Sequence, residues 1–157
     1  DASHLSGFLV QPSTNPNTLI ALDGGCSIGG IKEALKNDAI RSITVPKTSI
    51  LTKQGYIYRE TIISYLLSHP HLDHTLGMII ASVEEDEEKH KPIYGSHFTL
   101  TTLTENMMNW RVWPNVGDRG TQPMRYYEMK EVIEDGRKYN LTEDMIFQAF
   151  PLVHGEK

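Results

Sequence analysis

Several features are scarce in this chain of 157 residues, and each of them excludes a class of protein. Cysteine occurs once, at Cys26, which excludes an internal disulfide framework and a cysteine-rich zinc module. Basic residues number 15 against 20 acidic ones, and this net charge of −5 argues against a surface for polymeric nucleic acid. No apolar run is long enough to cross a bilayer, and no signal peptide is visible. We therefore expect a soluble protein with no membrane partner, in either the cytoplasm or the periplasm.

The composition is that of an ordinary globular protein, with 39% hydrophobic and 22% charged residues. The length suits one domain over residues 1–157, with enough chain to bury a core. No repeat, low-complexity segment or linker divides it. Strand-like and helix-like segments alternate along the chain, which predicts α/β or α+β layers.

The individual segments follow from apolar periodicity and from proline and glycine breaks. The pattern predicts irregular structure over residues 40–54, a solvated charge run over 84–91 and a turn over 134–140. A long surface loop is expected after the helix that Ser96 caps. Strands are predicted at 5–11, 18–23, 63–69, 92–95, 126–132 and 145–153, and helices at 31–38, 56–62, 75–83 and 96–109.

The segment HPHLDH concentrates metal-ligand side chains in six residues. His69 and His71 are two apart, so on an extended segment their side chains point the same way. A turn can then bring Asp73 and His74 to the other side of one pocket. Imidazole and carboxylate groups together suit Zn²⁺, with Mn²⁺ or iron as alternatives, and the split suggests two metals. The competing interpretation, histidines that only cap a strand, is disfavoured because burying so many polar groups is costly.

With its flanks, this segment resembles the H-x-H-x-D-H signature of the metallo-β-lactamase superfamily. The stretch SHPHLDHTLGMIIAS is most similar to one branch, the class II 3′,5′-cyclic nucleotide phosphodiesterases. LIALDGG, KPIYG, NWRVWPN and FPLVHG extend the similarity along nearly the whole chain, although Thr75 and Val83 depart from the usual residues. The resemblance implies a four-layered α/β/β/α sandwich, of which this chain would supply about the first half.

The resemblance also assigns roles to individual residues. His69, His71 and His154 match the ligands of a first divalent metal, and Asp73 and His74 match those of a second. Asp73 would also orient the nucleophile, and Asp23 would support the ligand loop from behind as a hydrogen-bond acceptor. The implied reaction is hydrolysis of cyclic AMP or cyclic GMP to 5′-nucleoside monophosphates by a hydroxide that the two metals bridge.

Two other functions share these ligands. One is a different hydrolase of the same fold that acts on a thioester, lactam, sulfate ester or RNA. The other is a non-catalytic metal-binding module. The family pattern completes its site with later residues, so we expect an internal part of a longer protein, with further ligands beyond Lys157. By itself the chain should bind at most one metal tightly, associate into oligomers and lack activity.

Overall fold

The computed structural model describes residues 5–152, which form a five-stranded sheet with helices against it and a separate two-stranded ribbon. The strands of the main sheet are β1 (Phe8–Val10), β2 (Leu19–Leu22), β3 (Ile62–Leu66), β4 (Lys91–Gly95) and β5 (Tyr127–Glu131). The ribbon consists of β6 (Lys138–Asn140) and β7 (Ile146–Gln148). The helices are α1 (Ser27–Lys36), α2 (Lys53–Tyr56), α3 (Leu72–Ala81) and α4 (His97–Thr102), with π-helical turns at Ile57–Thr61 and Leu103–Met107 and a 3₁₀ turn at Ser82–Glu84.

The main sheet follows chain order, β1-β2-β3-β4-β5. β1 pairs antiparallel with β2 as a hairpin, and the remaining neighbours are parallel. Parallel strands require crossover connections, which α1, α3 and α4 provide. Because β2, β3 and β4 are parallel, their carboxyl ends lie at one edge of the sheet, which is where such folds bind ligands.

The core lies on one face of this sheet. Ala21, Tyr65, Ile93 and Met129 are direct neighbours in the strand register, and all four are buried. On the other face Tyr94 is half-buried, and its ring lies 5.3 Å from that of Phe147 in the ribbon. The two faces therefore have different coverings, helices on one side and the β6–β7 ribbon on the other.

Most predicted elements are present with shifted boundaries, and one strand was not predicted. Ser96 caps α4 as expected, accepting a hydrogen bond from the Thr99 amide at 3.3 Å. The helix expected from residue 75 begins earlier, at Leu72, so Asp73 and His74 lie in a helical first turn. The prediction of a plain turn over 134–140 was wrong at its end, because residues 138–140 form β6 and pair with β7. A three-residue strand is too short to show periodicity, and only its partner defines it.

The described helices include none that is long and apolar enough to cross a membrane.

Candidate metal centre

Four of the predicted site residues meet at the carboxyl edge of β2 and β3. Asp23 directly follows β2, and its amide donates a hydrogen bond to the Leu66 carbonyl at 2.9 Å. His69 follows β3 by three residues, and Asp73 and His74 open α3. The parallel pairing of β2 with β3 is thus what brings Asp23 to residues that lie some fifty positions later in the chain.

Residues 68–74 connect β3 to the first turn of α3, and we call them the histidine loop. Asp23 accepts hydrogen bonds from three groups of this loop. Its carboxylate receives the Ser68 amide at 2.8 Å, the Ser68 hydroxyl at 3.0 Å and the Nδ1 of His74 at 2.8 Å. Asp23 holds a left-handed backbone with φ of 59°, which few residues other than glycine adopt. Such strain persists only where the surrounding contacts over-determine it, and here the loop supplies those contacts.

The histidine rings form a compact group above this carboxylate. The centroid of His69 lies 4.0 Å from that of His74 and 4.5 Å from that of His71. The Oδ2 atom of Asp73 lies 3.3 Å from Nε2 of His74. The side chains of His71 and Asp73 are exposed, whereas His74 is partly buried. Among these possible metal ligands, His74 is held by Asp23, whereas His71 and Asp73 face solvent.

The donor chemistry of this group fits a divalent metal. Three imidazoles and a carboxylate are the ligand types that Zn²⁺ prefers. Asp23 holds Nδ1 of His74, which leaves Nε2 as the available ligand atom, as is usual for metal-binding histidines. Within residues 5–152, however, no three histidine, cysteine, aspartate or glutamate side chains are already arranged to hold an ion together. His154, the third ligand predicted for the first metal, lies outside the described residues.

A glycine turn connects β2 to this site. The amide of Gly24 donates to the His74 carbonyl at 2.7 Å, and the amide of Met78 donates to the Gly24 carbonyl at 2.6 Å. A Cβ atom on Gly25 would lie 1.9 Å from the Asp73 carbonyl oxygen, and one on Gly77 would lie 2.2 Å from the Gly25 carbonyl oxygen. Only glycine allows the turn and α3 to approach so closely. The segment GGCSIGG (residues 24–30) therefore positions α3, the helix that carries Asp73 and His74.

We expect Gly77→Ala to lower the free energy of unfolding by about 1–3 kcal/mol, because the new methyl group meets backbone that cannot move aside. Gly29→Ala is the matched control, since Gly29 also lies in a ten-residue helix and its Cβ would meet no atom within 4 Å. That variant should gain about 0.5–1 kcal/mol from helix propensity. Urea unfolding of both variants measures the difference, and equal effects would contradict the close packing of α3 on the turn.

The tryptophans of the long loop make structural contacts. Nε1 of Trp113 donates to the Ser82 hydroxyl at 3.0 Å, and its side chain packs against the core. Nε1 of Trp110 donates to the Thr121 carbonyl at 3.0 Å. Packing of the loop thus accounts for both indole N–H groups.

A second polar cluster is buried beneath the sheet and was not expected from the sequence. Nζ of Lys91 lies 2.7 Å from Oε1 of Glu85 and donates to the Tyr58 carbonyl at 3.0 Å. The Tyr127 hydroxyl lies 3.1 Å from that of Tyr58, 3.4 Å from Oε1 of Glu85 and 3.3 Å from the Met78 carbonyl. Burial raises the pKa of the Glu85 carboxyl and lowers the pKa of the Lys91 ammonium.

This cluster corrects the prediction that residues 84–91 form a solvated charge run. The side chains of Glu85 and Lys91 are only 1% and 4% exposed. Glu84 and residues 86–90 are exposed or half-buried, but Glu85 and Lys91, the first residue of β4, are buried. Charge composition alone could not reveal this, since both ions are buried only because each neutralises the other. Ser68 was likewise missed, although a hydroxyl residue directly before the first histidine is a readable signal.

Comparisons with known proteins agree with this architecture. A family model described as cAMP phosphodiesterases class-II matches residues 1–155. A 3′,5′-cyclic-nucleotide phosphodiesterase from Aliivibrio fischeri is 38% identical over 117 residues, which are 74% of this chain and 34% of that protein. A Yersinia pestis protein named "Probable 3′,5′-cyclic-nucleotide phosphodiesterase" is 34% identical over 152 residues, 96% of this chain and 43% of its own length. The chain thus spans less than half the length of these relatives.

The fold also resembles that of a solved structure. The crystal structure of unliganded yeast PDE1 superposes with a TM-score of 0.64 at 21% sequence identity. The match covers 87% of this chain and 48% of the yeast chain. It confirms the predicted α/β fold class, a partial metallo-β-lactamase-like fold.

Proposed function

Because this chain belongs to the class II cAMP phosphodiesterase family, we propose that the protein containing it hydrolyses 3′,5′-cyclic nucleotides to 5′-nucleoside monophosphates. The single observation that carries the proposal is the match of residues 1–155 to this family, which includes the whole histidine loop and Asp23. The names of the Aliivibrio fischeri and Yersinia pestis relatives support the same substrate class.

Divalent metal dependence is general in this family, and the histidine loop supplies suitable donors. We assign His69 and His71, together with His154, to one metal, and Asp73 and His74 to a second, with Zn²⁺ as the best match to the imidazole-rich set. When bound, such a metal pair makes water nucleophilic near neutral pH and neutralises the charge that develops on the phosphate.

The chain's own residues then position the reaction. The Asp73 carboxylate is largely exposed at the first turn of α3, where one of its oxygens can accept a hydrogen bond from the attacking water. The water oxygen forms a bond to phosphorus while the bond from phosphorus to O3′ breaks, and the proton that the water loses is transferred to the departing 3′ oxygen. The Asp23 carboxylate does not contact the substrate in this proposal, but it holds the ring of His74 through the hydrogen bond to Nδ1. These roles make Asp73 the catalytic residue and Asp23 a positioning residue.

The experiment is a turnover assay of the complete protein after purification and loading with Zn²⁺. We expect cyclic AMP or cyclic GMP to be converted to the 5′-monophosphate with no 3′-monophosphate, because the P–O3′ bond is the one that breaks. A parallel panel should contain a thioester, a β-lactam, a sulfate ester and RNA. Turnover of one of these without turnover of either cyclic nucleotide would overturn the proposal. Zinc binding without any turnover would instead identify a non-catalytic module.

A further inference from the structure

Ser68 lies at the centre of the polar contacts behind the histidine loop. Its hydroxyl oxygen is 3.0 Å from both carboxylate oxygens of Asp23 and 2.9 Å from Nδ1 of His69. The same oxygen is 3.5 Å from Nδ1 of His74, which is already held at 2.8 Å by Asp23. One serine thus joins one carboxylate to two histidines.

The direction of these hydrogen bonds follows from what each group can donate. A carboxylate only accepts, so the single hydroxyl proton of Ser68 points to Asp23. The Ser68 oxygen then has lone pairs left for His69, and it can accept only if Nδ1 of His69 carries the proton. The same argument gives Nδ1 of His74 a proton, since its direct partner is also the carboxylate.

We propose that Asp23 sets the tautomer of both histidines, that of His74 directly and that of His69 through the Ser68 hydroxyl. In both rings Nε2 is then the unprotonated nitrogen, and it is the atom available to a metal. Ser68 is a positioning residue in this arrangement. The inference rests on the proposed function for its purpose, but the tautomers themselves are properties of the chain.

The Ser68 hydroxyl can be removed without loss of the backbone hydrogen bond that holds the loop. The Ser68 amide donates to Oδ1 of Asp23 at 2.8 Å, and this bond remains when the side chain is shortened. Ser68 is exposed, so Ser68→Ala removes the hydroxyl with little loss of packing. Ser68→Thr restores a hydroxyl at the same position and is the matched control.

The test uses the complete protein with ¹⁵N-labelled histidine, in which imidazole N–H resonances are recorded by proton–nitrogen correlation. The wild type should show protected Nδ1–H resonances for both His69 and His74. Ser68→Ala should lose the resonance of His69 and keep that of His74, and Ser68→Thr should show both. In a zinc competition with a chelator, Ser68→Ala should bind one equivalent about 10–100-fold more weakly, with the second equivalent little changed.

Two results would overturn the inference: a His69 Nδ1–H resonance that persists in Ser68→Ala, or a Ser68→Thr variant that behaves like Ser68→Ala. Failure of the proposed function would look different: both resonances would be present in the wild type and only that of His69 would be lost in Ser68→Ala, but the protein would hydrolyse no cyclic nucleotide. An active enzyme with an unaltered His69 resonance in Ser68→Ala would refute only the role of Ser68.

Discussion

Replacement of His71 by alanine in the complete protein is expected to lower cyclic nucleotide hydrolysis by at least about a hundredfold. The reason is loss of a proposed metal ligand, since the charge stabilisation that a catalytic metal supplies amounts to several kcal/mol. The ring of His71 lies 4.5 Å from that of His69, so the change removes one member of the donor group and leaves the others in place. Turnover of cyclic AMP at saturating zinc measures the effect.

Stability should change little in the same variant. The side chain of His71 is exposed, and although the residue directly precedes α3, its side chain does not cap the helix. We expect the free energy of unfolding to fall by less than about 0.5 kcal/mol. A loss of folding that accompanies the loss of activity would mean that the histidine serves structure.

His90→Asn is the control for this substitution. His90 is also exposed, but it precedes β4 and therefore lies at the opposite edge of the sheet from the site. Asparagine tolerates its left-handed backbone, φ 46°, so the replacement adds no strain. We expect this variant to keep wild-type turnover. If His71→Ala also kept it, the assignment of the histidine loop as a metal site would be wrong.

Replacement of Lys91 by methionine should destabilise the fold by about 3–5 kcal/mol. Removing one partner of a buried ion pair leaves the other charge without compensation, and this costs more than the pair itself contributes. Glu85 would lose its partner at 2.7 Å, and the Tyr58 carbonyl would lose its donor at 3.0 Å. Unfolding in urea, monitored by tryptophan fluorescence, gives the difference.

Lys89→Met is the matched control for this prediction. Lys89 lies two residues before Lys91 in the chain and forms an ion pair with Glu60, but the Lys89 side chain is 39% exposed. Exposed pairs contribute little, so this variant should differ from the wild type by no more than about 1 kcal/mol. The double variant Glu85→Leu/Lys91→Met should recover much of the lost stability, because both charges are then absent. Equal losses in the single and double variants would contradict the pairing.

The loss of unfolding free energy in Lys91→Met should also depend on pH. Burial raises the pKa of Glu85 above its ordinary value of 4.5, and loss of the ammonium raises it further. A group whose pKa is raised in the folded state contributes its stability below the unfolded pKa and loses it as the pH rises through the folded pKa. The variant should therefore lie closer to the wild type near pH 5 than near pH 8. A deficit that grows toward acid would contradict an uncompensated carboxylate.

The sequence by itself determined the elements whose signals are local. Alternation and apolar runs located the five strands of the main sheet, and Ser96 located the start of α4. The segment HPHLDH identified the donor types and the family, because ligand chemistry depends on residue identity and short spacing. These features need no information from distant parts of the chain.

The tertiary structure alone decided the contacts between residues that are far apart in the sequence. Asp23 reaches His74 and Ser68 only because β2 and β3 pair in parallel, and this places their carboxyl ends together. Glu85 and Lys91 are buried because a partner neutralises each charge, whereas their composition predicts solvent exposure. Hydrogen bonds and ion pairs between distant residues carry no periodicity in the sequence, so only the folded chain reveals which polar groups it brings inside.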